Sequence, residues 1–190
     1  MLGSHNAWSY LKPSKWYLKP FAFTAKCQSK NIEEQYNSSS RLFDLRIRFD
    51  KYQDPIICHG GMEYKYSKKQ LESDLFWLNK QSDKIWIRII LDIRSSHSGT
   101  DEWQELVFAD YCHELVEKYP NLIFTCGEEL PSGKRVVELD NVDIPVIEKY
   151  SSVCPPKLID DWIPSIYAKL NNKENIEKYA KDNLLIIDFI

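Results

Sequence analysis

The sequence predicts an α/β protein built on a largely parallel sheet. Strand-like and helix-like stretches alternate along the chain, the order that βαβ connections require. The segments 85–93 and 184–190 are apolar on both faces, as strands covered on both sides are. Several strands also place charge on one face towards their C-terminal ends. A barrel needs that arrangement at the mouth where its site gathers.

Taken in order, residues 2–8 read as a short strand and "NIEEQYN" (31–37) as a short helix. Residues 41–49 and "PIIC" (55–58) read as strands separated by the turn "DKYQD". A helix over 67–81 has Ser67 as N-cap and Leu71, Leu75, Phe76 and Leu78 at helical spacing. Residues 85–94 form a strand, and 101–118 an amphipathic helix that ends near Pro120. "NLIFTC" (121–126) and "PVIEKY" (145–150) are strands, 173–182 a helix, and "LLIIDFI" (184–190) the last strand. No repeat or long linker interrupts this order, so residues 1–190 are read as a single domain.

Composition narrows the function. With 43% hydrophobic and 28% charged residues, the chain has the balance of a soluble globular protein. A net charge of −3 gives nucleic acid no bulk attraction. No stretch reaches the roughly 20 apolar residues of a membrane-spanning helix. The start is polar, without the apolar core of a secretory leader. Five cysteines, Cys27, Cys58, Cys112, Cys126 and Cys154, are scattered without a CxxC pair. They are expected to be reduced thiols in a cytoplasm-like compartment, not a disulfide framework or a zinc site.

Strand parity selects the chemistry. In "RLFDLRIRF", Phe43, Leu45, Ile47 and Phe49 share one face, and Asp44, Arg46 and Arg48 the other. In "WIRIILDIR", Arg88, Asp92 and Arg94 oppose Ile87, Ile89, Leu91 and Ile93. Asp188 sits late in an apolar strand, where a carboxylate must be paired or is costly. With His5 and Asn6 near the start, and His59 in "ICHGG", the candidates comprise two imidazoles, carboxylates and a guanidinium. Such a set can move protons to and from a bound anion: one imidazole removes a proton, the other delivers one, and a carboxylate orients the first. The guanidinium presents paired donors to phosphate oxygens.

"GSHN", then "RLFDLRIRF", then "PIICHGG" resembles the bacterial-type phosphatidylinositol-specific phospholipases C in order, spacing and strand context. "YAKLNNKENIEKYAKDNLLIIDFI" is similar to that family's last helix and barrel strand. The resemblance covers most of residues 2–94 and 166–190. It implies a small irregular TIM-type barrel, with scope to lack a strand or a helix. His5 matches the general base, Asp188 the carboxylate that orients it, and Arg46 the arginine that stabilises the phosphate. His59 matches the general acid and Asp44 a supporting carboxylate. The implied reaction is cleavage of a phosphatidylinositol-like phosphodiester by an internal hydroxyl, without metal; Arg46 stands where calcium-dependent relatives have a ligating carboxylate, so calcium is not favoured. Asn6 departs from the pattern, standing where the bacterial enzymes usually have an aspartate beside the acid histidine. Lys149 falls where the family has a sugar-contacting basic residue, and Arg94 or Asp92 where it has another polar substrate contact.

Two other readings stay open. One keeps the fold as a phosphate-, lipid-headgroup- or glycan-binding module with little turnover. The other is a metal-dependent glycerophosphodiesterase-like enzyme, against which Arg46 stands. The stretch "WSYLKPSKWYLKPFAF" (8–23) interleaves aromatics with Lys12, Lys15 and Lys19. It reads either as a rim for peripheral membrane contact or as a loop whose aromatics cap the core.

Overall fold

The computed structural model describes residues 2–92, 101–125, 146–148, 164–179 and 184–190. Its strands are β1 (Leu2–Ser4), β2 (Ser40–Phe49), β3 (Pro55–His59), β4 (Met62–Glu63), β5 (Ile85–Leu91), β6 (Leu122–Thr125), β7 (Val146–Glu148) and β8 (Leu184–Ile187). Its helices are α1 (Ala22–Ala25), α2 (Ile32–Asn37), α3 (Lys68–Asn79), α4 (Asp101–Lys118) and α5 (Pro164–Tyr179), with a 3-10 helix over Trp16–Phe21.

Six strands run parallel in the spatial order β7-β8-β1-β2-β5-β6. β3 pairs antiparallel with the C-terminal end of β2, Ile47 to Phe49 opposite Ile57 to Pro55, and β4 turns back on β3. The expected closed barrel is not found: among the described residues β6 and β7 do not pair, and the sheet stays open. The antiparallel hairpin follows from the short turn at 50–54, too short for a crossover to a parallel strand.

The two faces of the sheet divide as side-chain alternation requires. Phe43, Leu45, Ile47, Ile87, Ile89 and Leu91 join Leu71, Leu75, Leu78, Phe108, Tyr111 and Leu115 from α3 and α4 in the main core. Each such fully buried side chain contributes about 1.5–3 kcal/mol of transfer free energy. Phe76, expected on the same stripe, lies on the exposed side of α3. On the opposite face, Leu42, Trp86 and Ile186 form a small apolar layer. Two residues further along the same strands and on the same face come Asp44, Arg88 and Asp188, all buried. Gly3 completes the apolar layer: a Cβ there would meet Leu42 Cβ at 3.1 Å and Ile186 Cγ1 at 3.2 Å. The next residue of the chain on this face is His5.

Local chemistry sets the ends of the elements. Ser67 caps α3 in a capping box with Gln70, and Asn31 caps α2 in another with Glu34. α5 begins at Pro164, well before the expected residue 173, because proline suits the first helical position. Asn172 of α5 donates its Nδ2 to the Asp188 carbonyl (2.7 Å) and so ties the helix to the end of β8.

Candidate active site

The site is built where β1 and β8 meet. β1 and β8 pair in parallel, Gly3 opposite Ile186 and Ser4 opposite Ile187. The His5 backbone N–H extends the ladder to the Ile187 carbonyl (2.9 Å). The chain then turns sharply at Asn6, whose φ of 43° is a left-handed value that asparagine tolerates better than most residues. This turn leaves His5 on the polar inner face, and β8 delivers Asp188 beside it.

The polar groups form one connected row. His5 Nδ1 and Asp188 Oδ1 are 2.7 Å apart, His5 Nε2 and Arg46 Nη2 3.1 Å, and Arg46 Nε and Asp44 Oδ2 3.1 Å. Carboxylates only accept and guanidinium only donates, so the partners assign the tautomer: Nδ1 carries the proton and Nε2 the lone pair. Asp44 Oδ2 also accepts the Asn6 backbone N–H (2.9 Å). Burial alone would raise the Asp44 carboxyl. The guanidiniums of Arg46 and Arg88, with His5 and the Asn6 N–H, outweigh it and hold the group down at about 2.

His59 closes the row from the β3 side. Its ring stands edge-on to that of His5, centroids 5.9 Å apart. Its Nδ1 donates to the Ala25 carbonyl (3.1 Å), which turns Nε2 away as the reactive nitrogen. Burial foremost, then electrostatic repulsion from the neighbouring His5 and from the Arg46 guanidinium, lowers His59 to about 4, against the raising effects of the Ala25 hydrogen bond and Asp92. Gly60, at a φ of 57°, makes the turn after it. The Gly60 N–H donates to Asp92 Oδ2 (2.6 Å), so Asp92 fixes the turn that aims His59.

Of the residues singled out from sequence, His5, Arg46, His59, Asp188 and Asp44 thus converge, and Asp92 reaches the same site from behind. Asn6 is fully buried, and neither atom of its side-chain amide has a hydrogen-bond partner. Its backbone N–H positions Asp44. Lys149 and Arg94 lie outside the described residues. His113 is exposed on α4, as a surface residue should be.

The segment 25–28 was not singled out by sequence reading, yet it lies across the site. Cys27 is a fully buried thiol, its Sγ 4.0 Å from His59 Nδ1. One donor atom each from His5, Cys27 and Asp188 lie within 4.8 Å of one another. Gln28 Nε2 donates to the carbonyls of His5 (3.1 Å) and Ile187 (3.0 Å), clamping β1 to β8 beside the catalytic candidates. Ser9 Oγ accepts the N–H groups of both Cys27 and Gln28 (2.9 Å each). No periodicity marks this segment; the nearest sequence signal is a polar Gln next to a Cys between two helical stretches.

These strands, in this order, with a short hairpin after β2, match structures already solved. The fold is that of the bacterial phosphatidylinositol-specific phospholipases C. The enzyme from Listeria monocytogenes matches over 100% of this chain and 87% of its own, with a TM-score of 0.64 and 12% identity. A mutant of the Staphylococcus aureus enzyme matches over 100% and 84%, with a TM-score of 0.64 and 14% identity. Another S. aureus structure, from work on modulating that enzyme's membrane binding, matches over 100% and 85% with a TM-score of 0.55 and 14% identity. At these identities the likeness is one of fold. No family model and no curated protein matches the sequence.

Proposed function

We propose that the chain is a phosphodiesterase that cleaves a phosphatidylinositol-like phosphodiester by metal-independent acid–base catalysis. The buried row Asp188–His5–Arg46–Asp44 carries this reading. His5 Nε2 already holds a lone pair, in contact with a guanidinium and backed by a carboxylate. When a phosphodiester arrives, Arg46 turns one N–H from His5 to a phosphate oxygen, and the released Nε2 takes the proton of the attacking hydroxyl. Asp188 stabilises the imidazolium through Nδ1–H. Asp44 keeps Arg46 in place and offsets its charge. His59 Nε2 protonates the leaving alcohol.

That last step is the demanding one. With His59 lowered to about 4, little of the imidazolium exists near neutral pH. The negative charge of a bound phosphodiester opposes the lowering by His5 and Arg46 and loads the proton when substrate is present. The same observation favours, as a second reading, a module that binds phosphate or lipid headgroups and turns them over slowly.

The rim supports a lipid substrate. Trp8 is buried, but Trp16, Tyr17, Phe21 and Phe23 are 78%, 53%, 61% and 52% exposed, next to exposed Lys12, Lys15 and Lys19. These aromatics do not cap the core. The segment runs directly to Ala25, whose carbonyl holds His59, so the ridge lies beside the site. Aromatics and lysines in that combination suit a headgroup interface and peripheral contact with a bilayer.

The test is turnover of a soluble aryl phosphodiester and of phosphatidylinositol in vesicles, each with and without chelator. Turnover that survives chelation and falls at least a hundredfold in His5→Ala supports the reading. Turnover abolished by chelator overturns the metal-free mechanism. Binding of inositol phosphate without turnover on either substrate moves the assignment to the binding module.

A further inference from the structure

We infer that Cys27, His5 and Asp188 form a binding site for a zinc-type divalent ion inside the catalytic centre, and that the ion switches the enzyme off. The mechanism above gives Cys27 no part. Nevertheless its thiol is fully buried against both histidines, next to a carboxylate. Thiolate, imidazole and carboxylate are the donor set of zinc, not of calcium or magnesium.

The geometry is close to what the ion needs. Zn–N and Zn–S bonds of about 2.0 and 2.3 Å in a tetrahedral site put sulfur and nitrogen about 3.6 Å apart, and two light donors about 3.3 Å apart. Here His5 Nδ1 and Asp188 Oδ1 are 2.7 Å apart, and the three donors fall within 4.8 Å. Shifts of a fraction of an ångström to about one ångström would suffice. His59 Nδ1 lies 4.0 Å from Cys27 Sγ but is engaged in donating to the Ala25 carbonyl, so water fills the fourth position.

Charge also permits the ion. Arg46 and Arg88 are offset by Asp44, Asp92 and Asp188, and an ionised Cys27 adds a fourth negative group. Cys27 loses its thiol proton to solvent as the Zn–S bond forms. The ion takes the place of the proton between His5 Nδ1 and Asp188; that proton moves to Nε2, and Arg46, which can only donate, turns its N–H away from it. His5 then presents N–H where the reaction needs a lone pair, so bound ion and general base exclude each other.

The inhibition rests on the proposed function; the binding does not, and the two are measured separately. Cobalt(II) added to the purified chain reports binding through the thiolate-to-cobalt charge-transfer absorption, and zinc should displace it at one equivalent. Zinc should also inhibit turnover of the soluble aryl phosphodiester, reversibly by chelator. In Cys27→Ser the absorption disappears and the zinc concentration for half-inhibition rises at least about tenfold, while Cys58→Ser retains both responses. Asp188→Asn is the second variant, should Cys27→Ser fail to fold: it keeps the absorption and binds zinc at least about tenfold more weakly. No charge-transfer absorption in the parent, or an equal one in Cys27→Ser, overturns the site. The absorption without turnover on any phosphodiester leaves the metal site standing and removes the enzyme reading instead.

Discussion

Asp188→Asn tests the heart of the proposed chemistry. The substitution keeps the shape of the side chain and an oxygen that can accept the His5 Nδ1–H, and removes only the charge. In the resting site the 2.7 Å bond, buried on both sides, changes from charge-assisted to neutral, a loss of about 1.5 kcal/mol. In the transition state His5 becomes an imidazolium, and the lost attraction is larger. At 2.7 Å and an effective dielectric of about 20, unit charges attract by about 6 kcal/mol, of which the retained amide dipole and local relaxation recover a large part. A net loss between about 1.5 and 4 kcal/mol corresponds to a fall in kcat of roughly tenfold to a thousandfold. KM for a soluble aryl phosphodiester should change little, because Asp188 is on the far side of His5 from the substrate. The assay is steady-state turnover of that substrate, with near-UV circular dichroism to show that the fold persists. An Asp188→Asn protein that is folded and within twofold of parental kcat would refute the role given to the His5–Asp188 pair.

Other outcomes follow from the same structure. His59, lowered from an ordinary 6.5 to about 4, binds fewer protons folded than unfolded between those values, so stability is full above pH 6.5 and falls as pH drops towards 4. The loss amounts to about 2–3 kcal/mol, measurable by urea unfolding at pH 7 and pH 4.5, and His59→Gln should flatten the dependence. Gly3→Val drives a branched side chain into Leu42 and Ile186 and should cost about 1–3 kcal/mol in denaturant unfolding, since both neighbours are buried in a packed layer. Gln28→Ala removes the side-chain donor that bridges β1 and β8, taking one partner from the His5 carbonyl and leaving the Ile187 carbonyl with the His5 N–H; Tm should fall by several degrees and kcat with it. Trp16→Ala with Phe21→Ala should weaken sedimentation with phosphatidylinositol vesicles at least about tenfold while leaving the soluble substrate unaffected, the two side chains being 78% and 61% exposed.

Much of the fold was legible because its signals are local. Two-residue alternation in β2 and β5 placed Asp44, Arg46 and Arg88 on one face, and the structure puts all three on the polar inner side. His5 and Asp188 were legible only together with a family pattern, since nothing local joins residues 183 positions apart. Cys27 and Gln28 were missed for the opposite reason. They occupy irregular backbone, positioned by Ser9 and by the ends of β1 and β8, and tertiary hydrogen bonds leave no periodic trace. Closure of the barrel was inferred from charge at strand ends. Such charge reports a polar inner face, which an open sheet offers equally well. The aromatics of 8–23 divided between core and surface, because composition alone does not tell a buried tryptophan such as Trp8 from an exposed one such as Trp16.

The hydrogen bond between His5 and Asp188 spans nearly the whole chain. Closing a loop of that length costs about 4–5 kcal/mol of entropy before any contact is rewarded. The intervening strands must meet that cost by docking first, which makes the pair among the last native contacts to form. A nascent chain on the ribosome lacks it until β8 emerges, however well β2, β3 and β5 have already assembled. Proteolytic cleavage after Ile187 would likewise silence the base while sparing most of the core. Competence for chemistry thus reports the docking of β8, and an activity measurement doubles as a probe of when that strand has taken its place beside β1.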